Sequence, residues 1–251
     1  MAGTLGVKAF RVAIVVALFG LWELLSRTGM VNPRLLPSAS DTLVTLVDLL
    51  QRSSIHNDLM VTATEVMTAF VLAVPLGTLI GFLIAENRYF SEVMKPLVFF
   101  AFSIPKSIFL PMFILVFGVG FAQKVGFGFF STIFIVIMST TVAVESVKLE
   151  HITVARSYGA TKKQIAWRVY LPSVLPVMLE SLRISMIFNL TGVILAEMYA
   201  SRDGIGHQIS TWGENFMMRQ LLAGVILVSI IAIVFNELLR SVETRCSHWR
   251  T

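Results

Sequence analysis

A lysine standing among prolines inside an apolar run is the group of this chain best placed to act on a solute. Lys106 follows Pro105 and precedes Pro111 within Leu97 to Gly118. Each proline removes a backbone donor and opposes the turn before it, and an intramembrane cation marks a pathway by default. Asn189 and Glu197 are the other polar groups in apolar surroundings that could line such a pathway. Toward an anionic solute, Lys106 would offset lost hydration. Each residue also has a structural reading. Lys106 can snorkel or neutralise a partner, Asn189 can hydrogen-bond a neighbouring helix, and Glu197 can sit at the outer end of its span as an interface charge.

Other chemistries lack their residues. His56, His151, His207 and His248 are far apart, with no HxxxH or carboxylate spacing that would hold zinc, so no metal site is expected. No nucleophile elbow or convergent acid, base and nucleophile set is visible, so no catalytic residue is assigned and the chain is not expected to be an enzyme. Asp203-Gly204-Ile205-Gly206 follows an apolar run and precedes no dinucleotide-binding unit, which makes it a tight outer turn. No GxxxxGK[ST] loop is present to cradle ATP phosphates. Cys246 is the single cysteine, which excludes an intramolecular disulfide.

The elements that must position these groups are membrane helices. Of the 251 residues, 56% are hydrophobic and 14% charged, against roughly 25% charged in a soluble domain; mean hydropathy is +0.80. A soluble globular enzyme is excluded. Six apolar runs can cross ~30 Å of hydrocarbon at 1.5 Å per residue: about 10–25, 62–85, 97–118, 125–144, 177–199 and 221–239. The fold class expected is all-α, a single polytopic domain over 1–251. The net charge of +5 does not gather into a basic patch with aromatic stacking groups, so nucleic acid is not a partner.

Charge sets the direction instead. With the N-terminus inside, the inner segments hold Lys8, Arg11, Arg88, Lys95, Lys148, Arg156, Lys162, Lys163, Arg168, Arg240, Arg245 and Arg250. The outer segments hold only Arg27, Arg34, Arg52, Lys124, Arg202 and Arg219. The excess places both termini in the cytoplasm. In the first outer loop, Leu43, Leu46, Val47 and Leu50 predict a short amphipathic helix over about 41–50. Ala69, Ala73, Gly77, Gly81 and Ala85 recur every four residues in the second span, a strip that lets another helix approach closely. No internal repeat of the kind that builds inverted-repeat carriers is evident.

The inner segment from 145 to 176 is polar yet full of helix signals. A first helix runs through Ile152, Ala155 and Arg156 to Tyr158 and stops at Gly159, a residue suited to the left-handed position after a helix. Thr161 and Gln164 form the spacing of a capping box for a second helix, with Ile165, Ala166 and Val169 on its apolar faces. Leu171-Pro172 and Pro176 are expected to end it. Such a knob can pass force from a membrane bundle to a cytosolic partner. Ala155, Gly159 and Ala160 would make its turn, Tyr158 and Ile165 an apolar contact, and Lys162 and Lys163 a basic rim.

Ala155-Arg156-Ser157-Tyr158-Gly159-Ala160, followed by Leu171-Pro172-Ser173-Val174-Leu175-Pro176, resembles the EAA coupling loop of importer-type ABC permeases. The resemblance narrows with Ser103-Ile104-Pro105-Lys106 through Leu110-Pro111, Phe117-Gly118-Val119-Gly120, Leu195-Ala196-Glu197-Met198 and Asp203-Gly204-Ile205-Gly206. These are similar to the branch that imports nitrate, sulfonates, taurine, bicarbonate and related small molecules, in order over residues 33 to 240. One departure is that the glutamate naming the motif falls at Thr153 here, with Val154 next; Glu150 lies one helical turn earlier.

The resemblance implies a type I importer permease in a bacterial-type inner membrane. It further implies a second permease subunit, most simply in a homodimer, two ATPase subunits docked on the coupling loops and binding ATP and magnesium, and an extracytoplasmic solute-binding protein. No cofactor is implied in this chain. An ATP-independent channel or secondary carrier would use the broken third span without needing the structured knob.

Overall fold

The computed structural model describes residues 2–246, with the side chains of 1–5, 8, 9 and 242–246 outside the description. Lys8 and Arg245 are thus described only as backbone, and His248 and Arg250 lie outside the described residues. The described chain is helical in the order α1 (Ala2–Arg27), α2 (Ala39–Leu50), α3 (Ser53–Glu86), α4 (Arg88–Ser103), α5 (Leu110–Phe117), α6 (Phe121–Glu145), α7 (Leu149–Ser157), α8 (Lys162–Ile165), α9 (Leu171–Tyr199), α10 (Ile205–Glu214) and α11 (Met218–Cys246). A 3-10 turn, Lys106–Phe109, precedes α5, and a π turn, Ala166–Tyr170, joins α8 to α9.

Among the described residues, four helical stretches are long and apolar enough to span a membrane: Ser53–Glu86, Phe121–Glu145, Lys162–Tyr199 and Met218–Ser241. A fifth arises if α4 and the Lys106–Phe117 stretch, bent by 78°, count together. These correspond to five of the six expected spans; the remaining one falls on α1, part of whose side chains lie outside the described residues. The bend is the work of Pro105, which holds Ile104 extended at φ −69° and ψ 131°.

The core is a tight packing of α3, α6 and α9. Ala69, Ala73, Gly77 and Gly81 are buried along α3. A Cβ at Gly77 would lie 2.8 Å from the Val136 Cβ, and one at Gly81 would lie 2.6 Å from the Ile137 carbonyl oxygen. Small residues thus bring the α3 and α6 backbones together, and Thr141 Oγ1 donates to the Gly81 carbonyl at 3.2 Å. Ala85 is half-buried beside the cluster of Val144, Ile152 and Ile165.

On the other flank, α2, α10 and α11 share a core of Leu46, Leu49, Ile209, Trp212, Ala223 and Leu227. Helix α2 starts two residues before the expected helix, with Ser38 Oγ accepting from the Asp41 N–H. Its buried face is Thr42, Leu46 and Leu49, while Leu43, Val47 and Leu50 are exposed. Of the apolar stripe read from the sequence, only Leu46 packs against the bundle, and the other three residues are turned away from it.

Two helix ends close in the same backbone motif. After α7, Gly159 N–H bonds to the Arg156 carbonyl and Ala160 N–H to the Ala155 carbonyl, with Gly159 at φ +77°. After α10, Phe216 N–H bonds to the Gly213 carbonyl and Met217 N–H to the Trp212 carbonyl, with Phe216 at φ +56°. Both are Schellman closures, whose left-handed position favours glycine. An L side chain there costs about 1–2 kcal/mol.

Candidate functional site

The 145–176 knob is built as a capped pair of helices on an apolar footing. Ile152, Ile165, Val147 and Val174 are buried together and fix it to the bundle. Thr161 Oγ1 accepts from the Gln164 N–H at 3.3 Å while Gln164 Oε1 accepts from the Thr161 N–H at 2.8 Å, so both halves of the capping box form. Tyr158 is 88% exposed at the tip. Lys162 and Lys163 are exposed beside it, and Ala155 and Ala160 are half-buried at the turn.

Two expectations for this region are corrected. Ile165, expected to offer an apolar contact to a partner, faces inward at 5% exposure because the capped helix lays it on Val144 and Val174. Leu171, Pro172 and Pro176 do not end the second helix, since 162–199 is one continuous helical stretch. The π turn shifts the hydrogen-bond register, with Leu171 N–H bonding to the Ala166 carbonyl. Pro172 therefore falls in the first turn of α9, where a missing donor costs little. The sequence reading missed Leu149, Val154 and Trp167, which are exposed on the same 145–176 segment as Tyr158. Thr153 Oγ1 donates to the Leu149 carbonyl, and Glu150 is exposed on the same short helix.

At the helix break, Lys106 is half-buried. Its Nζ donates to the Phe102 carbonyl at 3.1 Å and lies 4.4 Å from the centre of the Phe102 ring. Because the chain turns away at Pro105, the cation takes up a carbonyl at the C-terminal end of α4, where the helix dipole favours positive charge. Ser103 and Ser107 are exposed on either side.

Asn189 and Glu197, expected with Lys106 as pathway groups, are fully enclosed within the subunit. The close helix approach at Gly128 encloses Asn189, and Gly204 and Gly206 pack against the Glu197 side chain. Asn189 Nδ2 donates to the Val66 carbonyl at 2.7 Å and pins α9 to α3. Glu197 accepts from Thr62 Oγ1 at 2.6 Å and from the Gly206 N–H at 2.7 Å. Around it lies a polar knot. Asp58 accepts from the Gly204 N–H at 3.0 Å and from Gln208 Nε2 at 2.8 Å, Thr62 Oγ1 accepts from the Ile205 N–H, and Glu65 pairs with Lys124 at 2.5 Å. Lys124 also donates to Ser201 Oγ.

The first donors of α10 thus end on side chains of α3 and α9, which suits the positive end of a helix. Gly204, at φ +103°, has no room for a side chain because the Glu197 carboxylate fills the space. Asp58, Thr62 and Glu65 were missed as a group, although their spacing of four and three puts them on one helical face.

Residues 73–248 match the family model of the binding-protein-dependent transport system inner membrane component. The chain belongs to this family. It is the permease subunit of an ABC importer, a multi-pass protein of the inner membrane and a transport subunit rather than an enzyme. The taurine transport system permease TauC of Escherichia coli K12 is 26% identical over 95% of this chain and 88% of its own length. The putative aliphatic sulfonates permease SsuC of Bacillus subtilis 168 is 24% identical over 95% and 85%. Among solved structures, a bacterial ABC transporter that imports the acidic polysaccharide alginate aligns with a TM-score of 0.67 at 15% identity, covering 95% of this chain and 96% of that one. An inward-facing MetNI methionine transporter aligns at 0.57 and 22%, covering 77% and 96%. At these identities the likeness carries the fold.

Proposed function

We propose that this permease forms, with a second copy of itself, the pathway for a small anionic solute of the sulfonate or taurine kind. A separate ATPase drives it through the 145–176 knob and binds the ATP and magnesium. An external solute-binding protein delivers the cargo. Both chain termini lie in the cytoplasm, as the charge asymmetry favours. The observation that carries the reading is the knob itself: a capped helix pair on a buried apolar footing that exposes Tyr158, Leu149, Val154 and Trp167 together with Lys162 and Lys163. An apolar patch with a basic rim is the anatomy of a protein contact. ATP can bias the helices between inward and outward states only through contacts that differ between the two, and the knob supplies such contacts.

Lys106 is the proposed pathway cation, able to leave the Phe102 carbonyl for a passing anion. Sulfonate relatives support the solute class. The test is mild-detergent purification of the tagged chain from its native membrane, with its companions identified by mass spectrometry, followed by ATP-driven uptake of taurine and alkanesulfonates into proteoliposomes. Recovery of a Walker-motif ATPase in near-equal amount, and uptake that is reduced by Lys106→Met, are expected. A stable oligomer that recovers alone and conducts solute without ATP would refute the reading.

A further inference from the structure

Glu145 is the last residue of α6 and follows Val144, which belongs to the buried footing of the knob. Its carboxylate reaches across to α4. Oε1 accepts from Ser91 Oγ at 2.6 Å, and Oε2 pairs with Lys95 Nζ. Ser91 is buried and Lys95 half-buried, so one enclosed hydroxyl and one cation on successive turns of α4 hold the same group. Between them lies Glu92, whose carbonyl loses its helical donor to Pro96. Glu145 thus braces a turn of α4 in which the backbone ladder is interrupted.

Two helical turns beyond Lys95, the Phe102 carbonyl accepts from Lys106 Nζ. Helix α4 is therefore fastened at one place to the root of the knob and at another to the cation at the break. Its packing against α3 and α6 uses apolar side chains, with Met94 and Val98 lying against Ile84, Ile133 and Ile137. Apolar contact is non-directional and lets packed helices slide, whereas a carboxylate bonded at both oxygens fixes where one helix stands along the other. We propose that Glu145, through Ser91 and Lys95, is the positioning residue that makes α4 follow the knob and so carries its movement to Lys106. The proposal rests on the importer reading above. Lys106 then leaves the Phe102 carbonyl in step with the ATPase. The tie serves the stroke more than the stability of the fold, because a pair whose side chains are 34% and 36% exposed adds little stability by itself.

The test uses the intact importer in proteoliposomes, with Cys246→Ser as the background and one reporter at a time: Thr153→Cys on α7 for the knob and Ser107→Cys for the break, both at exposed positions. ATP should change the rate at which a water-soluble maleimide labels each reporter. With Lys95→Met added, the change at position 153 is expected to stay and the change at position 107 to shrink about tenfold, within the usual range of coupling between sites. A full ATP response at position 107 in that variant overturns the proposal. Loss of the response at both positions overturns it too, because the tie would then hold the knob itself. No ATP response at position 153 with Lys95 in place counts against the importer coupling and takes the proposal with it.

A charge swap supplies the second readout. Lys95→Met should raise the ATP hydrolysed per solute imported about tenfold at an unchanged melting temperature. Lys95→Glu should raise it at least as much, and adding Glu145→Lys should return it to within about twofold of the parent. An unchanged ratio in the single variants, or a swap no better than Lys95→Glu alone, overturns the proposal. A ratio that rises only together with a lower melting temperature marks a purely structural pair and overturns it as well.

Discussion

The closures after α7 and after α10 have the same hydrogen bonds and opposite residue choices. Gly159 occupies the left-handed position that glycine suits, and the side chain next to it, Tyr158, is the one that projects. Phe216 occupies the same position against its preference and itself projects. At the knob, backbone economy and surface chemistry are divided between two residues, whereas at the other end one residue carries both and the fold absorbs the strain. The difference teaches that a favourable closure marks a part whose shape matters, and an unfavourable one marks a part whose side chain matters.

The largest effect should come from Gly159→Pro. Proline holds φ near −65° and cannot enter the left-handed position, so the knob would reorient; ATP-driven uptake is expected to fall at least about hundredfold while membrane insertion, measured by yield and protease protection, stays normal. Lys124→Met tests the rigid ground between the two closures. It leaves Glu65 buried without its cation, and about 3–5 kcal/mol of stability should be lost, seen as a lower melting temperature in detergent. Tyr158→Asp should weaken ATPase recovery about tenfold with the subunit fold unaltered.

The smallest effects are the most discriminating. Gly159→Ala should cost about 1–2 kcal/mol, and Phe216→Gly should stabilise by about the same amount or less, both read from detergent melting. Equal signs for the two would erase the contrast between the closures.

Local signals were legible in the sequence. Gly159 and the Thr161–Gln164 box announce a turn and a start because each acts on backbone groups a few residues away. Pro105 likewise announced the break. The π turn was not legible, since Pro172 normally stops a helix and only the changed register permits it. The family resemblance identified the 145–176 loop but not which faces it presents, and Ile165 turned inward. Glu197 was noticed as a buried-depth charge, yet its partner Thr62 lies 135 residues away and only packing brings them together. Phe216 was invisible because a phenylalanine gives no sign of adopting a conformation that glycine prefers.

The pairing of Glu65 with Lys124 also orders events in time. Helix α3 leaves the ribosome before α6 exists, so during synthesis the Glu65 carboxylate enters the membrane with no Lys124 to meet. The expected consequence is that the early helices stay beside the insertion machinery until α6 arrives and enter the lipid together with it. A nascent chain stopped before residue 121 should stay bound to that machinery, whereas one that includes α6 and α9 should depart from it.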